Sequence, residues 1–209
     1  GCPYACGFCQ TSMLLGVRPR HRSPAVVAAY AGLMARRGML DLRVVTPNAF
    51  SYGSTDGRSV ELEAVRELFA AVRQAQGPSG RLFFGSMPSE VRPDHVSAAA
   101  LRLVSEQAAN DNIAIGAQSG SQRLLDACGR GHCVADIAAA TAATVKAGLK
   151  ANVDFIFGLP GETEGDIDRT VVLMKKLVSL GARIHAHSFM PLPQTRFAAR
   201  RPASMPERF

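Results

Sequence analysis

The sequence predicts an α/β protein with a parallel sheet, because strands and helices alternate at a regular interval. Short apolar strands are centred near residues 44, 83, 114, 154 and 186, at intervals of 31 to 40 residues. A segment with helical apolar spacing fills each interval, which implies right-handed βα units. The chain has 209 residues, 47% of them hydrophobic, and this is enough for the core of one domain. The periodicity alone does not distinguish a curved, open sheet from a flat, doubly wound one.

The first half of the chain contains three predicted helices. Ser23 is an N-cap before a proline, and the helix that follows covers residues 24–38. Apolar stripes at helical spacing mark two further helices over residues 62–77 and 96–104. The basic stretch of residues 11–22 shows no apolar period, so it is predicted to be an irregular linker.

The second half of the chain has the same pattern. A short helix over residues 124–128 is broken by glycines and resumes over residues 134–148. Thr163 and Asp166 form a pattern similar to a capping box, and the helix they open ends at Gly181. Each strand is therefore followed by a loop at its carboxyl end, where parallel α/β sheets bind their ligands.

Three cysteines at the start of the sequence have the spacing C-x3-C-x2-C. Thiolates of Cys2, Cys6 and Cys9 on one short loop suit three irons of a [4Fe–4S] cubane, and the fourth iron stays open to a small molecule. Zinc is the alternative, but it prefers a fourth Cys or His at close spacing, and the nearest candidate is His21. Five cysteines, an odd number with three clustered, indicate a reducing, cytoplasmic compartment.

The cysteine motif, with the aromatic Phe8 before its last cysteine, resembles the signature of the radical S-adenosylmethionine (SAM) superfamily. Two further motifs follow in that family's order: Q-S-G-S from Gln118 with R-G from Arg130, and D-x-I-x-G-L-P-G-E-T from Asp154. The resemblance implies a partial (βα)6 TIM-type barrel that is open, with a first strand expected just before Gly1. It also implies a radical SAM core over residues 1–195, followed by a basic Pro/Arg-rich tail, or the start of a further region, over residues 196–209.

The resemblance also implies the chemistry and the ligand contacts. In that family SAM chelates the open iron, and one electron from the reduced cluster cleaves SAM to methionine and a 5′-deoxyadenosyl radical. An electron donor such as flavodoxin or ferredoxin is then expected. The cluster ligands would be the three cysteines. Residues at the strand ends are expected to contact the SAM ammonium, carboxylate, ribose and adenine: Phe8, Asn48, Glu90, Gln118, Ser119, Arg130, Asp154, Gly158 and Met190.

Three functions are compatible with these motifs. The nearest likeness is to radical SAM proteins with an N-terminal cobalamin-binding domain, so cobalamin is a possible further cofactor, although its D-x-H-x-x-G motif is not in this sequence. The first alternative is a methylthiotransferase acting on tRNA or a ribosomal protein, and only this alternative involves nucleic acid. The second is a non-catalytic zinc or iron–sulfur module. The residues do not identify a substrate.

Several other features have plainer interpretations. The net charge is +7, and the clustered arginines are expected to form a solvated face or to pack on another domain. No apolar run is long enough to span a bilayer, so no membrane partner is expected. Cys128 and Cys133 are interpreted as helix-packing thiols rather than ligands of a second cluster. His185 and His187 alternate onto one strand face and are interpreted as polar lining or as helix-facing histidines rather than a metal site.

Overall fold

The computed structural model describes residues 1–204, which form five strands, seven α-helices and two short 3-10 helices, Ala49–Ser51 and Pro93–His95. The strands are β1 (Asp41–Arg43), β2 (Arg81–Phe83), β3 (Asn112–Gln118), β4 (Lys150–Phe157) and β5 (Arg183–Ser188). The helices are α1 (Thr11–Leu15), α2 (Pro24–Arg36), α3 (Leu62–Gln76), α4 (Ala98–Gln107), α5 (Gln122–Cys128), α6 (Val134–Lys146) and α7 (Glu164–Ser179). All five predicted strands are present at the predicted places.

The strands are all parallel and lie in two groups. One group pairs β1 with β2, and the other has the order β3-β4-β5. In the larger group Asp154 on β4 lies between Gly116 on β3 and His185 on β5. The prediction of an α/β fold with parallel strands is therefore confirmed, and the described residues do not close into a barrel.

The two groups are joined where β2 ends. The Asn110 side chain bonds both the amide and the carbonyl of Phe84, at 3.0 and 2.9 Å. Beyond it, the amide of Ala114 donates to Gly85, and Val91 donates to the carbonyl of Ala114. Residues 86–90 therefore leave the sheet as a loop, and this brings Glu90 to the carboxyl ends of the strands.

The helices bury apolar stripes against the sheet, as their spacing predicts. On α3 the side chains of Val65, Leu68, Phe69 and Val72 are fully buried. The predicted capping box is present, with Thr163 accepting from the amide of Asp166 and Asp166 accepting from the amide of Thr163. Among the described helices, none combines the length and apolar character needed to cross a membrane.

The prediction of an irregular linker over residues 11–22 is wrong for its first part, because Thr11–Leu15 forms α1. The carbonyl of Gln10 accepts hydrogen bonds from Met13 and Leu14 and so starts the helix. Leu14 is 67% exposed, so α1 has no buried stripe that a periodicity argument would detect.

Residues 196–204 fold back onto the cysteine loop and the β4–α7 loop. The amide of Phe197 donates to the carbonyl of Gly7, and the amide of Ala203 donates to the carbonyl of Gly158. A Cβ on Gly7 would lie 2.6 Å from the Phe197 ring, so glycine is required for this close approach. Arg208, in the basic tail predicted over residues 196–209, lies outside the described residues.

Candidate active site at the carboxyl ends of the strands

A cavity of about 600 Å³ opens at the carboxyl ends of the strands. This volume lies within the range of ~300–1,000 Å³ that is usual for ligand sites. The segments that follow β1, β2 and β5 line it, together with the ends of β3 and β4. The cavity brings together the three motif cysteines and six of the nine predicted SAM contacts: Phe8, Asn48, Glu90, Gln118, Arg130 and Met190.

The cysteine loop forms one wall of this cavity. The amide of Cys9 donates to the carbonyl of Cys6 at 3.0 Å, and Ala5 has a φ of 46°, so the loop turns tightly. Burial raises the pKa of the Cys2 thiol, and the neighbouring Cys6 and Cys9 add to the rise. Three thiols on one wall fit the ligand set of an iron–sulfur cluster.

Within residues 1–204, no three His, Cys, Asp or Glu side chains are grouped to hold one metal ion. In a cubane each cysteine binds a different iron, so its thiolates need not converge on one point. Arg130 adds positive charge here, since its Nη1 lies 3.5 Å from the Cys6 sulfur.

A polar wall beside the cysteine loop is built around Gly116. Arg130 donates from Nη2 to the Gly116 carbonyl at 2.6 Å, and Gln118 donates from Nε2 to the Glu90 carboxylate at 3.1 Å. A Cβ on Gly116 would collide with that carboxylate and lie 2.9 Å from Gln118 Nε2. The pairing of β3 with β4 also shifts register between Gly116 and Gln118, which forms a β-bulge, and Gln118 has a φ of 70°. The bulge re-aims the side chain at this position.

Glu90 on this wall is half-buried, and the buried Asp154 lies behind it. Burial together with the charge of the neighbouring Asp154 raises the pKa of Glu90 to about 7, while Arg130 opposes the rise. Burial also raises the pKa of Asp154, which is 2% exposed, and His185 opposes that rise. His185 Nδ1 lies 3.0 Å from Asp154, and His187 lies 4.0 Å away. The pair therefore binds a proton more readily than an isolated carboxyl group does.

A family model for the Radical SAM superfamily matches residues 1–174 of the chain. The chain belongs to the radical SAM superfamily. Among its relatives, a functionally uncharacterised protein of Methanopyrus kandleri is 27% identical over 99% of this chain. Threonylcarbamoyladenosine tRNA methylthiotransferase MtaB of Thermotoga maritima is 26% identical over 99% of it. The chain spans 39% and 45% of the lengths of these two relatives.

Two solved structures share the fold. The radical SAM methyltransferase TsrM of Kitasatospora setae, determined with cobalamin and a [4Fe–4S] cluster, gives a TM-score of 0.73 at 18% identity. It matches 94% of this chain and 36% of that one. Coproporphyrinogen III oxidase HemN of Escherichia coli gives 0.62 at 17% identity, over 95% of this chain and 44% of that one. These likenesses confirm the predicted open, partial barrel, and the family and its relatives indicate an enzyme.

Three of the predicted SAM contacts in this radical SAM chain do not line the cavity. Ser119 turns toward α7, where its hydroxyl lies 3.4 Å from that of Thr170. Asp154 lies behind Glu90, as described above. The amide of Gly158 donates to the Glu162 carboxylate at 2.5 Å. Direct contacts of these three residues with SAM remain predictions.

The Q-S-G-S motif therefore has two parts in this radical SAM chain. Gln118 faces the cavity, whereas Ser121 donates from its hydroxyl to Asp166 at 2.6 Å and so ties the β3–α5 loop to the start of α7. Burial acts to raise the pKa of Asp166, but hydrogen bonds from Arg123, Ser121 and Thr163 hold it well below its usual value. The serines thus fix the loop that carries Gln118.

The two remaining cysteines have different environments. Cys128 is buried beside Leu159 and Phe189, and burial raises the pKa of its thiol to about 12. Cys133 is exposed and lies at the N-cap of α6, so the interpretation of Cys133 as a packing thiol is wrong. Sequence analysis did not find this position because cysteine is not one of the usual N-cap residue types.

Tyr4 and Arg92 are among the cavity-lining residues that sequence analysis did not predict. Tyr4 lies inside the cysteine motif, and its aromatic type was the only signal. Arg92 follows Glu90 by two residues and lies at the same loop. Asn48 joins them, since its side chain accepts from the Arg92 amide at 3.2 Å and bonds His95 Nδ1 at 2.8 Å.

Proposed function

We propose that this chain binds a [4Fe–4S] cluster through Cys2, Cys6 and Cys9 and binds SAM in the adjoining cavity, where SAM is reductively cleaved. The observation that carries the proposal is that the three thiols and the polar wall open onto one cavity. When bound, the cluster would supply the electron that cleaves SAM to methionine and a 5′-deoxyadenosyl radical. All other roles belong to the side chains of the protein.

Charge complementarity supports a specific role for each group on the polar wall. SAM carries a carboxylate and an ammonium on its methionine part, and the guanidinium of Arg130 suits the carboxylate. Glu90 suits the ammonium once it has lost its proton, and Gln118 beside it suits a ribose hydroxyl. Phe8 and Met190 supply apolar surface for the adenine. Asn48, Ser119, Asp154 and Gly158 complete the proposed set.

The proposal is tested by anaerobic reconstitution, reduction with dithionite and measurement of 5′-deoxyadenosine by liquid chromatography and mass spectrometry. Wild-type protein is expected to bind about four irons and to form 5′-deoxyadenosine from SAM. Cys6→Ala is expected to abolish both. Cys133→Ser is the matched control, because it removes an exposed thiol and keeps a good N-cap. A reconstituted cluster whose EPR spectrum ignores SAM would instead favour the non-catalytic module.

The finer proposal is that this chain is the core of a cobalamin-dependent radical SAM enzyme. Its support is the match of 94% of the chain to the cobalamin-binding methyltransferase TsrM, together with the motif likeness. We keep a methylthiotransferase acting on tRNA as the second candidate, because MtaB of Thermotoga maritima matches 99% of the chain.

These two candidates differ in what the whole protein would contain. A cobalamin enzyme is expected to bind hydroxocobalamin with a change in its visible spectrum. A methylthiotransferase is expected to hold a second cluster, so that its iron content rises to about eight, and to add a methylthio group to tRNA. Iron content and cobalamin binding of the full-length protein decide between them.

A further inference from the structure

We propose that Arg92 is a positioning residue that fixes the cysteine loop through Tyr4, and that its buried charge stabilises the reduced cluster. This inference rests on the proposed function, because it concerns the cluster that the three cysteines would hold. Neither residue belongs to the predicted ligand set.

Tyr4 lies between Cys2 and Cys6, so the place of its ring fixes the segment that joins two of the ligands. The Arg92 guanidinium carbon lies 3.5 Å from the centre of the Tyr4 ring, and the Arg58 guanidinium carbon lies 4.9 Å from it. A guanidinium this close to an aromatic face is attracted by the ring, most strongly when water is excluded. The Tyr4 ring is therefore held by two cations.

A closed set of contacts holds the same ring from its edge. The Tyr4 hydroxyl lies 3.3 Å from His95 Nε2, and His95 Nδ1 bonds the Asn48 side chain at 2.8 Å. The Asn48 oxygen then accepts from the Arg92 amide, which returns the chain of contacts to Arg92. Burial lowers the pKa of His95, so the imidazole is neutral and acts here as a structural link.

Arg92 also reaches the second arginine of the site. Its Nη1 donates to the Arg130 carbonyl at 2.6 Å, and its Nη2 donates to Asp94 at 3.0 Å. One side chain thus connects the segment between Cys2 and Cys6 to the segment that carries Arg130.

The electrostatic part of the proposal follows from burial. The Arg92 side chain is 4% exposed and lines the cavity, and its Nε has no hydrogen-bond partner among the described residues. Asp94, which neutralises it in part, is 26% exposed and so more strongly screened by water.

A buried cation that lines the same cavity as the cluster ligands favours the reduced form of a cluster. Reduction converts [4Fe–4S]²⁺ to [4Fe–4S]¹⁺ and adds one negative charge, while the donor, dithionite in the test below, loses one electron. Net charge near the cluster is among the factors that set its potential. Arg58 is exposed, so water screens its charge and its effect on the potential is expected to be small.

The test is an anaerobic potentiometric titration of the reconstituted protein, followed by EPR, on wild type, Arg92→Met, Arg92→Lys and Arg58→Met. At the wild-type midpoint, Arg92→Met is expected to lower the ratio of reduced to oxidised cluster about tenfold, equal to ~59 mV for one electron. Arg58→Met is the matched control, because it removes the other cation on the same ring, and it is expected to change the ratio less than about twofold. Arg92→Lys keeps the charge and is expected to lie near wild type.

The positioning part has its own readout, the rate at which a chelator removes iron. Tyr4→Leu, which removes the aromatic ring, and Arg92→Lys, which loses the planar stack, are both expected to lose iron several-fold faster than wild type. Tyr4→Phe keeps the ring, so its rate of iron loss is expected to be close to that of wild type and slower than that of Tyr4→Leu.

The outcomes separate this inference from the proposed function. Wild-type protein that takes up no cluster overturns both. If wild-type protein holds a cluster and the midpoint potential of Arg92→Met differs from that of wild type no more than the midpoint potential of Arg58→Met does, the electrostatic part alone is overturned. Equal rates of iron loss in wild type, Arg92→Lys and Tyr4→Leu overturn the positioning part alone.

Discussion

Replacing Glu90 by glutamine is expected to change how stability depends on pH. In the folded chain the pKa of Glu90 rises from 4.5 to about 7, first because the group is buried and second because Asp154 lies beside it. The folded chain therefore holds a proton that the unfolded chain releases between these two values. Stability then falls as the pH rises from about 4.5 to about 7 and is level above that. At about 1.4 kcal/mol for each pKa unit, the loss is about 3 kcal/mol.

The assay is urea unfolding of the cluster-free protein under reducing conditions, at several values between about pH 5 and about pH 8. Glu90→Gln has no proton to lose, so the free energy of unfolding of the variant minus that of wild type is expected to rise by up to about 3 kcal/mol across this range. Glu63→Gln is the control, because Glu63 is 75% exposed and pairs with Arg66 on the surface of α3. A difference for Glu90→Gln that stays level with pH would refute the reasoning.

Three further predictions follow from the same wall of the cavity and from α7. Gly116→Ala is expected to lower the free energy of unfolding in urea by about 1–3 kcal/mol, because a Cβ there meets the Glu90 carboxylate. Gly165→Ala on α7 is the control: its Cβ would have no contact under 3.6 Å, so it is expected to leave that free energy unchanged or to raise it. Arg130→Met is expected to weaken SAM binding by the reconstituted protein about tenfold or more in calorimetry, and unchanged affinity would contradict the proposed carboxylate contact. Asp166→Asn is expected to be destabilising at neutral pH, because hydrogen bonds hold the Asp166 pKa below its usual value. The stabilisation by ionised Asp166 is present above about pH 4 and is lost as the pH falls further. The difference in free energy of unfolding between Asp166→Asn and wild type, measured in urea, should therefore shrink in acid.

Sequence reasoning predicted the order of strands and helices because each element carries a local signal. Strands are short apolar runs, helices have apolar stripes, and Thr163 with Asp166 forms a capping box that depends only on neighbouring residues. The same reasoning failed for Thr11–Leu15, since α1 exposes its apolar side chains and buries no stripe. Apolar periodicity therefore predicts a helix only where that helix buries one face against the rest of the protein.

The candidate site was predictable to the extent that spacing carries chemistry. Three cysteines at C-x3-C-x2-C point to a cluster, and the strand-end motifs point to Gln118 and Arg130, which do line one cavity with the thiols. Ser119 was grouped with Gln118 because they are adjacent in sequence. In the structure the bulge at the end of β3 turns Gln118 to the cavity and leaves Ser119 against α7.

The sequence by itself determined the alternation of parallel βα units, the trio of thiols and the family to which the chain belongs, because these depend on composition and spacing along the chain. Only the tertiary structure decided that Glu90 lies against Asp154 and that Arg92 lies on the Tyr4 ring. These partners are 64 and 88 residues apart in sequence. Their contacts arise from strand register and from the loop that leaves the sheet after β2, and no local pattern encodes either. Burial then sets their charge, and burial is a property of the folded chain alone.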